Sequence, residues 1–167
     1  RSIAPDGTIV DFEEQFLKFN PTNNMSYEVV SNPVPDEVNF SDHAGKIITT
    51  YDRWELLWSE PLETRFDFSK GYTFKMKVYT EKAGNVYFKL EHPDNYRLGQ
   101  VEIQKTLNVT HEWVDMEFDF RSLQPWSDLY GKILLLFDAG NLEPGYTWYF
   151  DDIRFIPLAS SFRTINA

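Results

Sequence analysis

From about residue 45 onward the sequence alternates between apolar and polar positions with a period of two. Tyr72, Phe74, Met76 and Val78 fall on one side of such a row, and Thr73, Lys75, Lys77 and Tyr79 on the other. Val86, Phe88 and Leu90 alternate with Tyr87, Lys89 and Glu91; Val114, Met116, Phe118 and Phe120 alternate with Asp115, Glu117 and Asp119. Ile133, Leu135 and Phe137 make a further inward row, followed by Tyr149, Ile153 and Phe155. A strand turns successive side chains to opposite faces, so each row has one dry face and one wet face, the mark of antiparallel rather than parallel sheets. Turn signals separate the rows: Asn32-Pro33, Pro35-Asp36, Ser69-Lys70-Gly71, Lys82-Ala83-Gly84-Asn85, Pro93-Asp94-Asn95 and Glu143-Pro144-Gly145. Helical periodicity is confined to a short candidate turn near Ser122–Tyr130. Many short strands with Gly/Pro turns predict an all-β sandwich or barrel.

At 167 residues the chain reads as one domain, with its patterned core over about residues 8–158 and an unpatterned tail over 159–167. A domain of this length hides roughly 70 % of its unfolded surface and needs no staples; with no cysteine it has no disulfide, thiolate or Cys-bound metal. Sixteen Lys and Arg against 26 Asp and Glu give a net charge of -10, which argues against nucleic acid or an anionic membrane surface as partner. No apolar run approaches the roughly 20 residues of a membrane helix, and no charged-then-apolar leader precedes the domain. The chain opens at Arg1 rather than Met, which leaves room for a removed leader or an upstream domain. The outlier is the aromatic content, with 5 Trp, 9 Tyr and 14 Phe, more than a small core needs, so some rings are expected at the surface.

Catalytic signatures are mostly absent, and nothing in the sequence favours a Ser/His/Asp triad. There is no G-x-S-x-G elbow, no phosphate-cradling Gly-rich loop, and His43, His92 and His111 are far apart and read as loop residues. Asp115, Glu117 and Asp119 share one strand face at a spacing that approaches the roughly 5–10 Å a glycosidase pair needs. Their order departs from the acidic strand of the laminarinase and agarase sandwich enzymes, and a solvated acidic face is the simpler reading.

The sharpest motif is Trp148-Tyr149-Phe150-Asp151-Asp152-Ile153-Arg154-Phe155. Adjacent aspartates are poor strand formers. Alternation puts Asp151 with Tyr149 and Ile153 on the core side, where a carboxylate must be paired, hydrogen-bonded or metal-bound. Asp11-Phe12-Glu13-Glu14 near the start has the same character. Two readings follow: the clusters clamp a structural Ca²⁺ between the first and last strands, or Asp151 accepts N–H bonds from a neighbouring loop.

Phe12-Glu13 and Tyr149-Phe150-Asp151-Asp152-Ile153 resemble the opening and closing strands of the galactose-binding-like jelly-roll carbohydrate-binding modules. Val29-Val30-Ser31-Asn32-Pro33, Phe74–Tyr79, Ala83-Gly84, Lys89-Leu90-Glu91, Glu112-Trp113 and Phe118-Asp119-Phe120 extend the resemblance over about residues 8–156, toward modules found beside glycan-degrading enzymes in Bacteroidetes polysaccharide-utilisation proteins. The resemblance implies an antiparallel β-sandwich of jelly-roll type, a secreted or outer-surface location and a structural Ca²⁺ held by Glu13 with Asp151 or Asp152.

A sugar presents an apolar C–H face and a rim of hydroxyls, so its site combines a ring with charged or amide side chains. Trp54 and Trp58, at i and i+4, share one side of a strand, spaced by roughly 13 Å, with Tyr51 and Arg53 beside them. The opposing reading makes Trp54, Leu56 and Trp58 a core row with Glu55 outward. The second candidate is the loop from Glu91 through His92, Pro93, Asp94, Asn95 and Tyr96 to Arg97, approached by outward-facing Tyr87 and Lys89. Trp126 and Tyr130 form a third aromatic group, and Trp113 and Trp148 are assigned to packing. The expectation is non-catalytic binding of a polysaccharide or oligosaccharide, with no nucleic-acid partner, no membrane insertion and other domains of a longer protein as neighbours. The alternatives are a spacer or protein-interaction domain and, further off, a small glycan-cleaving enzyme.

Overall fold

The computed structural model describes residues 3–22, 24–50, 54–122, 127–141 and 143–159. Among these residues eleven strands run in chain order: β1 Thr8–Val10, β2 Phe19–Pro21, β3 Ser26–Ser31, β4 His43–Ile48, β5 Leu57–Ser59, β6 Thr73–Thr80, β7 Gly84–Glu91, β8 Gln100–Leu107, β9 Val114–Asp119, β10 Lys132–Phe137 and β11 Thr147–Ile156. They form two antiparallel sheets. The first has the order β3-β4-β11-β6-β9, with β1 also paired to β11; the second has the order β2-β5-β10-β7-β8. The predicted antiparallel β-sandwich is therefore the observed architecture, and the rows read from the sequence are its inner faces. Phe74, Met76, Val78, Val86, Phe88, Leu90, Met116, Phe118, Ile133, Leu135 and Phe137 are all buried between the sheets.

The aromatic excess is largely core. Phe74 packs against Phe66, Phe88, Phe120 and Phe155 with ring centroids 5.0–5.6 Å apart. At the other end Phe150 meets Phe12, Phe19 and Phe137 at 5.5–5.7 Å. Such pairs contribute about 0.5–1.5 kcal/mol each beyond the area they bury. Trp148 is fully buried in this core, as assigned, and Trp113 is buried in a smaller cluster with Ala44 and Tyr79. Among the described residues the most exposed rings are Phe16, Phe40, Trp54 and Tyr96, and Trp58 and Tyr87 are half-buried.

The parity of β11 differs from the simple alternation. Trp148 and Phe150 point into the main core, while Tyr149 packs with Tyr79 on the outer face of the first sheet. The pairing of β11 with β6 then shifts between Asp151 and Arg154, and Asp152 takes a left-handed φ of 55°. This bulge resets the alternation, so Ile153 and Phe155 face inward again. Asp151 therefore lies on the outer side with Tyr149, not on the core side with Ile153. It is nonetheless 0 % exposed, because the segment linking β3 to β4 folds over it.

Among the described residues helical structure is confined to short 3-10 turns such as Tyr96–Leu98. Of the turn expected near 122–130, residues 123–126 and with them Trp126 lie outside the described residues, and 127–129 form a turn. Tyr130 is buried against Phe68. No helix of the described residues is long and apolar enough to cross a membrane.

Candidate functional site

The second sheet turns one face inward and leaves the other uncovered by any described strand. Register identifies the residues on that outer face. Trp58 pairs with Asn20 on one side and with Leu134 on the other; Leu134 pairs in turn with Lys89, and Lys89 with Glu102. A second row across the sheet holds Leu136, Tyr87 and Gln104, and a third holds Lys132, Glu91 and Gln100. Residues two apart on a strand share a face, so these rows form one surface. The rings of Trp58 and Tyr87 stand two strands apart, about 10 Å across the sheet.

The polar groups around the rings are already held in place. Asn20 Nδ2 donates to Glu60 Oε2 at 2.6 Å, beside Trp58. Lys132 Nζ sits 5.0 Å from the Trp58 ring centroid, a cation–π contact. Lys89 Nζ lies 3.2 Å from Glu91 Oε2, with both side chains largely shielded from water. The face offers two aromatic planes, three amides, two ammonium groups and three carboxylates, of which Asn20, Glu60, Lys89, Glu91 and Lys132 are held by the contacts above.

Of the residues picked out in the sequence, Trp58, Tyr87 and Glu91 are brought together here. Trp54 is not on the same strand as Trp58: β5 spans only Leu57–Ser59, and Trp54 stands in the preceding turn, 56 % exposed. The expected two-tryptophan strand platform is therefore not formed, because the strand is too short to carry both. The core-row alternative also fails. Leu57 and Ser59 are the inward residues, and Glu55 is buried, accepting from the backbone N–H of Thr50 at 2.7 Å and from its hydroxyl. Tyr51 and Arg53 lie outside the described residues.

The loop of Asp94, Asn95, Tyr96 and Arg97 is exposed and bonded within itself. Asn95 Oδ1 accepts from the Arg97 N–H at 2.9 Å, and Arg97 Nε donates to the Tyr96 hydroxyl at 3.3 Å. Asp94 faces Arg65 at 3.9 Å. Sequence reasoning missed Asn20, Glu60, Gln104 and Lys132. Gln104 and Lys132 were legible as outward positions of alternating rows; Asn20 and Glu60 sit on strands of three residues or at their ends, too short to show a period.

The three carboxylates implied as calcium ligands do not converge. Glu13 accepts the His43 backbone N–H at 2.7 Å, and its Oε2 lies 3.1 Å from His43 Nδ1. Asp152 pairs with Lys77 at 2.7 Å. Asp151 accepts from Asn39 Nδ2 at 3.0 Å, from the Ser41 hydroxyl and from the Asp152 backbone N–H at 2.8 Å. Burial pushes its carboxyl up to about 6 against the pull of those bonds. No group of three His, Asp or Glu side chains able to hold a metal ion is assembled among the described residues. Asp151 instead matches the second reading of the motif, an acceptor for a neighbouring loop. Asp115, Glu117 and Asp119 line the outer face of the first sheet, where Arg154 pairs with Asp115: a solvated acidic face, as read.

No family model matches the sequence, and no curated protein matches it at a significant level. Solved structures do. A family 11 carbohydrate-binding module from Clostridium thermocellum, in complex with a β-1,3-1,4-mixed-linked tetrasaccharide, superposes with a TM-score of 0.60 at 13 % identity, over 90 % of this chain and 94 % of that one. TmCBM61, in complex with β-1,4-galactotriose, gives 0.55 at 13 % identity over 95 % and 99 %. The CBM22-1 xylan-binding domain of Paenibacillus barcinonensis Xyn10C gives 0.53 at 12 % identity over 92 % and 97 %. At such identities the likeness establishes the shared β-sandwich jelly-roll architecture.

Proposed function

We propose that the outer face of the second sheet binds a polysaccharide or oligosaccharide chain without cleaving it. One observation carries the reading: Trp58 and Tyr87 stand on one open face, among side chains several of which are held by their own contacts. Rings take the C–H faces of successive sugar units, and the amide, ammonium and carboxylate groups take their hydroxyls. Preorganised groups lose little freedom on binding, which favours recognition of a weakly interacting polymer. The carboxylates beside the rings are engaged, Glu60 by Asn20 and Glu91 by Lys89. The carbohydrate-binding modules that share the architecture, and the sugars bound to two of them, support the same class of ligand. In this reading the domain works outside the cell, secreted or at the surface, and holds a glycan-degrading system near its substrate.

The test is calorimetric titration and affinity electrophoresis against the mixed-linked tetrasaccharide, β-1,4-galactotriose, xylohexaose and their parent polymers. Trp58→Ala and Tyr87→Ala are each expected to weaken binding ten- to thirty-fold, the range of a buried aromatic anchor of about 1.5–2 kcal/mol, with no reducing ends released by the unmodified protein. A folded protein that binds no glycan would overturn the reading in favour of a spacer or protein-docking domain.

A further inference from the structure

Phe40 is 80 % exposed, on the side of the sandwich away from the face just described. Its display is built rather than loose. Both chain neighbours, Asn39 and Ser41, bond the same buried carboxylate of Asp151, and Asn32 Nδ2 donates to the carbonyls of Asn39 and Ser41 at 3.0 Å each. The ring therefore stands on a loop fixed at both shoulders. It borders a cavity of about 240 Å³ lined also by Asp11, Asn39, Ser41, Lys77, Asp151 and Asp152. Asp11 Oδ1 is locked by the N–H groups of Glu13, Glu14 and Gln15 at 2.8–2.9 Å, and Lys77 is held against Asp152.

We propose that this cavity is a second binding site, taking one sugar residue, with the Phe40 ring against its C–H face and Asp11, Lys77 and Asp152 at its hydroxyls. The site is distinct from the sheet face and borrows from the reading above only the class of ligand. The cavity is smaller than the roughly 300–1,000 Å³ that takes a drug-sized ligand, so it suits a single ring or chain end rather than a run of units. The surroundings favour a polyhydroxylated molecule over a protein: a specific protein interface covers roughly 800 Å² per partner and is depleted of charge at its centre, whereas the cavity beside this ring is lined by three carboxylates and an ammonium. Two sites on opposite faces of one domain would bridge glycan chains, and bridging multiplies weak single affinities.

The experiment follows backbone amide shifts by NMR in the full chain titrated with galactose, glucose, xylose and the three oligosaccharides named above. A Trp58→Ala/Tyr87→Ala double variant removes the sheet face, and Phe40→Ala removes the ring; because that ring is solvent-exposed, its melting temperature stays within a degree or two of the parent. The expected result is saturable shifts at Asn39–Ser41 and Asp151–Asp152 that persist in the double variant and weaken at least tenfold in Phe40→Ala. Absence of loop shifts with every probe overturns the proposal, as do loop shifts that Phe40→Ala leaves unchanged. Concentration-dependent self-association that Phe40→Ala abolishes also overturns it, marking the ring as a protein contact. Loss of shifts on the sheet face alone counts against the first site and leaves this one standing.

Discussion

The side-chain amide of Asn39 donates to the fully buried carboxylate of Asp151 across 112 positions of sequence, at 3.0 Å. That bond pins the β3–β4 segment onto the last strand. The carboxylate is held by neutral donors at the core of the contact, with Asp152 beside it and Lys77 engaged by Asp152.

The consequence is an inverted pH dependence for this group. Burial raises the Asp151 carboxyl from 3.8 to about 6, so the native state binds its proton more tightly than the unfolded chain. The stability this gives is fully present below pH 3.8 and is lost as pH rises to about 6. Two units correspond to about 3 kcal/mol. Denaturant unfolding of the unmodified protein and Asp151→Asn, measured from pH 4 to 7, isolates it: the variant cannot titrate there, so its stability relative to the parent rises by up to about 3 kcal/mol across the window. A constant difference between the two would contradict the assignment.

Asn32 holds the same segment from its other side. Its Oδ1 accepts from Trp113 Nε1 at 3.2 Å, while its Nδ2 serves two carbonyls. Asn32→Ala leaves these buried groups short of partners, a cost of about 2–4 kcal/mol. Thermal melts should show a drop of roughly 5–12 °C, with the glycan binding proposed for Trp58 and Tyr87 unchanged because that face belongs to the other sheet.

Gly45 lies where β4 meets the aromatic core. A Cβ there would stand 2.7 Å from Phe150 Cε1 and 3.1 Å from Phe12 Cζ. Both rings are enclosed by other rings. Gly45→Ala is therefore expected to destabilise by about 1–3 kcal/mol through overpacking, read as a lower urea midpoint at unchanged slope.

The carboxylates of Glu13, Asp151 and Asp152 are each satisfied by protein groups. Millimolar CaCl₂ and EDTA should accordingly give melting temperatures within about a degree of each other. A calcium-dependent rise of several degrees would mean that these groups rearrange around an ion, since a ligand that binds only the folded state stabilises it by mass action.

Much of the architecture was legible before any coordinate. The inward rows from Phe74 to Phe137 carry a period of two over six to eight residues, and a long half-buried strand cannot hide that signal. The outward positions of those rows, Tyr87 and Glu91 among them, were legible for the same reason. The pairing of Trp54 with Trp58 was misplaced because i, i+4 means one face only while the chain stays extended, and here it turns before Leu57. The side of Asp151 was misplaced because one bulge residue flips the parity of everything before it relative to everything after.

Local alternation and turn chemistry, read from the sequence, thus determined that this chain makes antiparallel strands with a dry and a wet face, since those patterns act between neighbours in the chain. Which wet faces adjoin was decided only in three dimensions. Asn20, Trp58, Lys132 and Tyr87 share one face because β2, β5, β10 and β7 are neighbours in one sheet, an order set by long-range pairing. Asp151 found Asn39 and Ser41, rather than Glu13, because a bulge and a folded-over loop brought those donors to it. Such partners are separated by a hundred residues, and no local period records them.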